Sequence, residues 1–478
     1  NAKIADNAIT GAKLAADSVS TSDINDDAIT QAKIADASVD EARLQISNSP
    51  TNGYYLQAQS GNTGGLTWAE VSGGVTSDGQ SNTVAGTSAG DSFDGTSAEH
   101  NTLIGNEAGT AITTGDKNTT IGSRTLITNT TGSHNTALGY EILYANTTAS
   151  DNTGIGSGSL RYNTTGSSNI AVGKSALAAN TTGSSNVAVG KLALTTNTTA
   201  NYNTAVGDNA MRYCTTGLQN TAVGYIALQD VTTGGYNVGI GNYAGKDLTT
   251  GSNNVAIGTD ALRTATTGAS NTAVGANALY SNTTADNNTA VGKDALEANT
   301  TGADNTAVGL EAMEANTTGY NCTAIGVRAL EANTDGHTNT AVGKQALNDN
   351  TTGDNNTAVG GYALDLNTTG GANTGVGTNA LDANTTGDNN TAVGVGALGS
   401  NTTADDNVAV GVQALNVNTT GASNVAVGND ALEVNTTGHS NVAVGHEALH
   451  ANTEGVYNVA IGYQSLDANT TAGDNTAV

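Results

Sequence analysis

A 17-residue pattern of apolar and polar positions repeats along most of the chain. From Gly105 to Gly462 a glycine recurs every 17 residues, without insertion or deletion. The consensus is Asn-Thr-Ala-Val-Gly-x-x-Ala-Leu-x-x-Asn-Thr-Thr-Gly-x-x. So short a period predicts stacked coils, because each unit is too small to fold alone. We number positions in a coil from the recurring glycine, which is position 0.

The residues before this glycine have the pattern of a strand. Position −1 is Val, Ile or Leu in all 22 repeats, and position −3 is Thr, Val or Ile. Period-two alternation of β-branched residues predicts a strand, and the abundance of Gly, Thr, Asn and Val argues against a helix. We expect the −1 and −3 rows to point inward. The Ala or Gly at −2 is small enough for close approach by a neighbouring backbone or subunit.

Position +4 supplies a second core row. It is Leu or Met in 20 of 22 repeats, and the exceptions are Gly109 and Gly245. The Asn-Thr-Thr-Gly segment supplies turns. The sequence therefore predicts an all-β, fibrous parallel β-solenoid or β-roll of 17-residue coils over residues 101–478. At a strand spacing of ~4.8 Å, 22 coils would extend over ~105 Å.

Two asparagine rows are predicted to form buried ladders. At +7, five repeats replace Asn by a residue suited to an interior. These residues are Ile112, Cys214, Val231, Leu248 and Ala265. We therefore expect a stacked amide ladder rather than sugar attachment, although Asn-Thr-Thr matches a glycosylation sequon. The representative rungs are Asn146, Asn163, Asn180, Asn197, Asn299 and Asn316. At −4 only Cys322 replaces Asn, which predicts a second ladder. The first Thr of the triplet should face inward and the second should face solvent.

The first hundred residues follow other patterns. Between Ile4 and Leu44 an aliphatic residue recurs every five positions, which predicts a pentad-repeat fibre shaft over residues 1–44 in preference to a pentapeptide-repeat helix. In residues 45–75, two apolar segments, 54–58 and 66–69, flank a glycine-rich segment and predict a β-hairpin collar. Residues 76–100 form a Gly/Ser-rich transition, with a first, off-register trace of the repeat at residues 84–86.

Composition and charge narrow the function classes. Only 4% of residues are aromatic and 62 are Gly, so a wide core cannot be filled. The net charge of −27 argues against a nucleic-acid partner, because little here would neutralise phosphates. No apolar run is long enough for membrane insertion. Both ends fall inside a pattern, so we expect a segment or processed form of a longer protein. The small apolar content per coil favours an oligomer, most simply a homotrimer that buries the Ala-rich face and the Leu row between subunits.

Residues 186–190 and 458–462 read Asn-Val-Ala-Val-Gly and Asn-Val-Ala-Ile-Gly. They resemble the head repeats of trimeric autotransporter adhesins, which have a shorter repeat, and the resemblance implies a left-handed parallel β-roll in a homotrimer. The Asn-Thr-Thr-Gly arrays, the shaft and the Asn-Ser-Pro-Thr-Asn-Gly segment at 48–53 resemble phage tail-fibre proteins. These resemblances imply an extracellular fibre, on a virion or, as the alternative, on a bacterial cell surface.

Candidate chemistry is sparse. We predict no enzyme, no catalytic residue, no cofactor-binding residue and no metal residue, because the repeat dictates the spacing of Ser, His and Asp and the six His lack partners at metal-ligand spacing. The two Cys are predicted to be inert buried thiols, with pairing between subunits as the alternative. An acidic row at +5 would stack like charges, which Ca²⁺ could bridge or water could solvate. Its members are Glu297, Glu314, Glu331, Asp365 and Asp382.

Tyrosines concentrate in the first half of the repeat array at variable positions. Either they form a contact patch for a host receptor or glycan, or they are isolated surface residues. They are Tyr140, Tyr144, Tyr162, Tyr202, Tyr225, Tyr236 and Tyr243. The sequence as a whole predicts a rigid trimeric spacer of a viral tail fibre, which holds a receptor-binding tip away from the virion. A bacterial adhesin or secreted filament is the first alternative. A glycan-processing enzyme would need inserted loops, for which the unbroken register leaves no room.

Overall fold

The computed structural model describes residues 54–58, 66–70 and 75–478, and the chain divides into two units, 1–74 and 75–478. The predicted pentad shaft lies outside the described residues. In the first unit, β1 (Tyr54–Ala58) pairs antiparallel with β2 (Leu66–Glu70). The strand pairing expected for this segment is therefore confirmed.

The second unit is one continuous sheet in which every strand pairs with its neighbours in sequence. It opens with β3 (Thr76–Ser77), which is antiparallel to β4 (Thr83–Ala85). All later strands are parallel, and each is separated from the next by one coil. They are β5 (Thr102–Ile104), β6 (Thr119–Ile121), β7 (Thr136–Leu138), β8 (Thr153–Ile155), β9 (Ile170–Val172), β10 (Val187–Val189), β11 (Thr204–Val206), β12 (Thr221–Val223), β13 (Val238–Ile240), β14 (Val255–Ile257), β15 (Thr272–Val274), β16 (Thr289–Val291), β17 (Thr306–Val308), β18 (Thr323–Ile325), β19 (Thr340–Val342), β20 (Thr357–Val359), β21 (Thr374–Val376), β22 (Thr391–Val393), β23 (Val408–Val410), β24 (Val425–Val427), β25 (Val442–Val444), β26 (Val459–Ile461) and β27 (Thr476–Ala477).

The register places the same repeat position of successive coils side by side. Thr289 lies opposite Thr306, for example, and the same holds for each pair of repeats. Thr83 of β4 lies opposite Thr102, so the sheet already begins within the segment read as a transition. The all-β parallel solenoid with 17-residue spacing, predicted from the repeat, is confirmed.

The core is narrower than the sequence suggested. The −2 alanines, such as Ala205 and Ala273, are fully buried, whereas the residues on either side of them are half-buried or exposed. The prediction that the −1 and −3 rows point inward is wrong. Successive strand residues point to opposite faces, so burying −2 turns −3 and −1 outward.

The Leu row at +4 is a core row, as predicted. Leu177 and Met211 are both 0% exposed, and the adjacent +3 position, mostly Ala, is buried beside it. Because the −2 and +4 side chains are enclosed by their own chain, neither row can be the surface that meets another subunit. The expectation that the Ala-rich face and the Leu row are buried between subunits is therefore wrong.

Each coil turns by means of left-handed backbone conformations. Positive φ occurs at +2, +4 and +12, as in Ser175 (56°), Leu177 (52°) and Ser185 (58°). This conformation costs an L-residue roughly 1–2 kcal/mol, and at +4 the burial of a large side chain offsets that cost. It also explains the two exceptions in the Leu row, because Gly109 and Gly245 have the same φ, 58° and 60°.

Position 0 requires glycine for two reasons. Gly343 has φ 141°, and a Cβ added there would lie 2.6 Å from the carbonyl carbon of Gly360 in the next coil. Outside the strands the coils remain bonded to each other. The N–H of Leu177 donates to the Ala193 carbonyl (2.9 Å), and the N–H of Ala179 donates to Thr195 (3.0 Å). Hydrogen bonds therefore join successive coils around their circumference.

Candidate functional surfaces

The −4 asparagines form a buried ladder that bonds to the backbone. The N–H of Asn390 donates to Oδ1 of Asn373 (2.9 Å), and Nδ2 of Asn390 donates to the Ala404 carbonyl (2.8 Å). Cys322, which replaces Asn in this ladder, is 1% exposed. The predicted ladder at this position is present.

The +7 asparagines form the second ladder. Nδ2 of Asn384 donates to Oδ1 of Asn367 (2.8 Å) and to the Gly387 carbonyl (3.0 Å). All six representative rungs and all five apolar replacements are 0% exposed. A glycan on one of these buried amides would have to displace the ladder. The structure therefore supports the structural role of the sequon asparagines.

The threonines that follow these asparagines differ in exposure. The first is half-buried rather than fully inward, and its hydroxyl donates to the carbonyl of the equivalent Thr one coil later, as Thr385 does to Thr402 (2.9 Å). The second, such as Thr386, is exposed as predicted. The first threonine thus adds another bond between coils, which explains its presence in all 22 repeats.

The outward side chains at −3 and −1 of β5–β26 form a surface that we call the strand face. Ile121, Ile325 and Ile461 are each 42% exposed, and Val393 is 38% exposed. Only Thr, Val, Ile and Leu occur at these two positions, so the strand face carries no charge. An uncharged surface of aliphatic and threonine side chains on a chain of net charge −27 marks a candidate contact surface.

The acidic row at +5 stacks as predicted, and its side chains are half-buried. Glu297, Glu314 and Glu331 line one groove of 580 Å³. Burial raises the pKa of Glu314, and the neighbouring carboxylates raise it further. Arg328 neutralises part of this negative charge, because its Nε lies 2.7 Å from a carboxylate oxygen of Glu311 and 3.7 Å from one of Glu331. Calcium bridging stays a prediction.

Further along the acidic row, Asp365 is the most perturbed carboxyl group. Burial raises its pKa to about 6, and repulsion from Asp382 and Asp349 adds to the effect. Its Oδ1 is buried without a hydrogen-bond partner. Burial also raises the pKa of Asp382.

Two of the seven predicted contact tyrosines lie beside an ion network. Nη2 of Arg124 donates to the Tyr144 hydroxyl (3.0 Å), and the Arg161 guanidinium lies 5.3 Å from the centre of the Tyr162 ring. Both arginines pair with Glu141, at 2.8 and 2.7 Å, and the carboxylate side chain is only 8% exposed. These tyrosines are therefore held in place by the network.

The remaining tyrosines are divided between two sides of the coil. Tyr140 and Tyr225 are both at +1, and Tyr225 packs edge to face with Tyr243 at 5.6 Å. Tyr202 and Tyr236 are at +12, before the strand, where they are 65% and 54% exposed. The seven tyrosines thus do not form one patch, and receptor or glycan contact stays a prediction for each group.

Both cysteines are free and buried, as predicted. Desolvation raises the pKa of Cys214 to about 12 and that of Cys322 to about 11. Thiols in this state are poor nucleophiles. Pairing between subunits would require the coils to open, because each side chain lies inside its own chain.

The absence of metal-binding residues stays a prediction, but the stack gives one histidine two acidic neighbours that the sequence spacing did not indicate. His446 lies beside Asp430 and Glu447, with one donor atom from each residue within 4.8 Å of the others. The stack brings together residues one coil apart, here 16 residues, a spacing outside the usual metal motifs. In the sequence, the only sign that His446 lies near Asp430 is the 17-residue period of the coils.

Among the described residues, no helix is long and apolar enough to span a bilayer. Comparisons of the chain with models of protein families, with curated proteins and with solved structures gave no match.

Proposed function

We propose that this chain is a non-enzymatic structural protein, the rigid spacer of a homotrimeric extracellular fibre. Its role is to hold a receptor-binding tip away from a virion as part of a viral tail fibre. The observation that carries the proposal is the unbroken stack, in which every coil from β4 onward is hydrogen-bonded to the next. At the strand spacing this stack is ~110 Å long.

The strand face is the surface through which copies would associate. Its partner must present apolar groups at the same period along the whole length, and a second copy of this chain does so by construction. A stable interface buries about 800 Å² on each partner, or about 36 Å² per coil over 22 coils. One valine with a third of its surface exposed provides this area. A cyclic trimer lets three strand faces meet around one axis.

The mass of the full chain in solution tests this association. Particles of three times the chain mass of 47.2 kDa are expected. Changing Val393, Val410 and Val427 together to Asp should give monomers with an unchanged circular dichroism spectrum. The matched control changes Thr403, Thr420 and Thr437 to Asp, on the exposed +9 position where Asp335 occurs naturally. A monomeric wild type, or a control that dissociates equally, would contradict the proposed interface.

The location of the fibre is a separate test. An antibody raised against the chain should label fibres on purified virus particles from the same source. Labelling of intact bacterial cells in the absence of virus would favour the alternative, a surface adhesin. The resemblance of the repeat arrays to tail fibres supports the first outcome.

A further inference from the structure

Three metal-binding side chains converge on the surface of two adjacent coils near the C-terminal end of the stack. They are Asp430 at +2 of one coil, with His446 at +1 and Glu447 at +2 of the next. One donor atom from each lies within 4.8 Å of the other two. We propose that these three residues bind a divalent metal ion of the zinc class.

The backbone holds the donors in place. Asp430 and Glu447 both have positive φ, 56° and 55°. The N–H of Asp430 donates to Val412 (3.0 Å) and the N–H of Glu447 donates to Asn429 (3.0 Å), so each is bonded to the preceding coil. The backbone positions that carry the two carboxylates are therefore fixed one coil apart, which lowers the entropy lost when a ligand binds.

Asp430 has a free oxygen atom that suits this role. Its Oδ2 accepts a hydrogen bond from Asn429, whereas its Oδ1 is buried without any partner. A buried carboxylate oxygen that lacks a donor is unfavourable unless a cation or proton satisfies it. A metal ion between Asp430 and His446 would satisfy it.

The charge around the three residues is not already neutralised. No Lys or Arg in the described part of the chain forms an ion pair with Asp430 or Glu447, and the polar neighbours of Glu447 Oε2 are Nδ1 of His446 (3.8 Å) and Nε2 of Gln464, which donates to it (2.5 Å). The all-carboxylate cluster of Glu311, Glu314 and Glu331 differs, because Arg328 pairs with two of its members. Because of this difference, we place the metal ion at the cluster that contains His446.

The donor set identifies the class of metal. Imidazole favours zinc and its transition-metal neighbours, whereas calcium and magnesium favour oxygen ligands alone. Around tetrahedral zinc the ligand atoms are about 3.4 Å apart, so the three side chains would close by about 1 Å, and water would take the fourth position. His446 is half-exposed and stacks on Tyr463 at 5.5 Å, which leaves its ring accessible and supported.

Titration calorimetry of the full chain, stripped of metal by a chelator, tests the site with zinc chloride and with calcium chloride. One zinc ion per chain and no calcium binding are expected. Asp430→Asn, His446→Gln and Glu447→Gln should each weaken zinc binding by about tenfold or more. Because these side chains lie outside the core, none of the three variants should lower the thermal midpoint without metal.

Two controls make the test specific. Glu311→Gln alters the all-carboxylate cluster and should leave zinc binding unchanged. His450→Gln alters the nearby pair in which Nε2 of His450 lies 2.7 Å from Glu433, and should also leave it unchanged. Absence of zinc binding at roughly 100 µM, or binding that survives His446→Gln and is lost with His450→Gln, would overturn the proposal.

Discussion

The two asparagine ladders run through the same coils, yet their sequences tolerate change very differently. The +7 ladder is replaced by apolar residues in five repeats, four of them consecutive, from Cys214 to Ala265. The −4 ladder is replaced once, by Cys322. Both rows are equally buried. Burial therefore does not explain the difference, and hydrogen bonding must.

The difference lies in which groups depend on each amide. At −4, Oδ1 of Asn390 accepts the backbone N–H of Asn407 (3.0 Å), so losing Asn390 leaves a buried backbone donor unpaired. At +7, Oδ1 of Asn384 accepts only the side chain of Asn401 (2.9 Å). Moreover, the Gly387 carbonyl, to which Nδ2 of Asn384 donates, also accepts a hydrogen bond from Nδ2 of Asn373 (2.7 Å).

The consequence is visible where the +7 ladder stops. Before Cys214, the Oδ1 atom of Asn197 is buried without a partner. Where the ladder resumes, Nδ2 of Asn282 donates only to the Ala285 carbonyl (3.1 Å). The −4 ladder thus maintains the backbone bonding of the stack, whereas the +7 ladder fills the interior with a group that apolar side chains can replace.

The largest expected effect comes from matched alanine variants of the two ladders. Asn390→Ala should reduce the free energy of unfolding by about 2–4 kcal/mol, because it leaves the N–H of Asn407 unpaired and removes a donor from Ala404. Asn384→Ala, which has a natural precedent in Ala265, should reduce it by about 1 kcal/mol.

Hydrogen exchange measured by mass spectrometry on residues 370–410 is the appropriate readout, because coils in a stack open locally. Faster exchange around residue 390 in the Asn390→Ala variant, without a comparable change in the Asn384→Ala variant, would support the distinction between the ladders. Equal losses in the two variants would contradict it.

A second, smaller effect tests how the interior is filled where the +7 ladder is apolar. In the coil of Gly105, large residues stand at −2 and +7, Leu103 and Ile112, and +4 is Gly109. A Cβ on Gly109 would lie 2.8 Å from Ile112 and 2.9 Å from Leu103. Gly109→Leu should therefore destabilise the chain by about 1–3 kcal/mol through overpacking, although Leu is the consensus there.

The consensus triple variant is the control for this prediction. Leu103→Ala, Gly109→Leu and Ile112→Asn together recreate the usual coil and extend the +7 ladder by one rung toward Asn129. Its thermal midpoint should return to that of the wild type or exceed it. A triple variant no better than Gly109→Leu alone would show that the three positions do not compensate for one another.

The repeat predicted much of this architecture because it shows every position many times. The apolar replacements at +7 revealed the ladder, and the Leu row identified the core. The sequence could not show which face of the strand is buried, because neither face carries charge. The choice between an Ala row and a Val row depends on the width of the core. The predicted inward Val row was wrong for this reason.

Two other features depend on geometry that composition does not show. Left-handed Leu residues at +4 contradict local preference, and only Gly109 and Gly245 hint at them. The contact of Asp430 with His446 joins residues one coil apart and needs the coil diameter and register. Both the left-handed turns and the cluster of Asp430, His446 and Glu447 therefore depend on how successive coils stack on one another.

The smallest expected effect contrasts the neutral amide ladders with the acidic row. The pKa of Asp365 is about 6 in the folded chain, above its usual value of 3.8. The folded state thus binds this proton more tightly than the unfolded state, so stability from this group is greatest below pH 3.8 and is lost as pH rises through about 6. Asp365→Asn should raise the free energy of unfolding by about 1 kcal/mol at pH 7.5 and leave it nearly unchanged at pH 4.

The acidic row already contains one such amide. Nδ2 of Asn348 donates to Glu331 in the neighbouring coil at 2.8 Å, and the amide introduced by Asp365→Asn would have the same opportunity toward Asp382. Thermal unfolding from pH 4 to pH 8 measures the effect, with Asp406→Asn as the control because it removes the same charge from an exposed position. If both variants stabilise the chain equally at pH 7.5, the gain reflects net charge alone. A gain confined to Asp365→Asn would show that stacked carboxylates, unlike stacked amides, oppose the contact between successive coils.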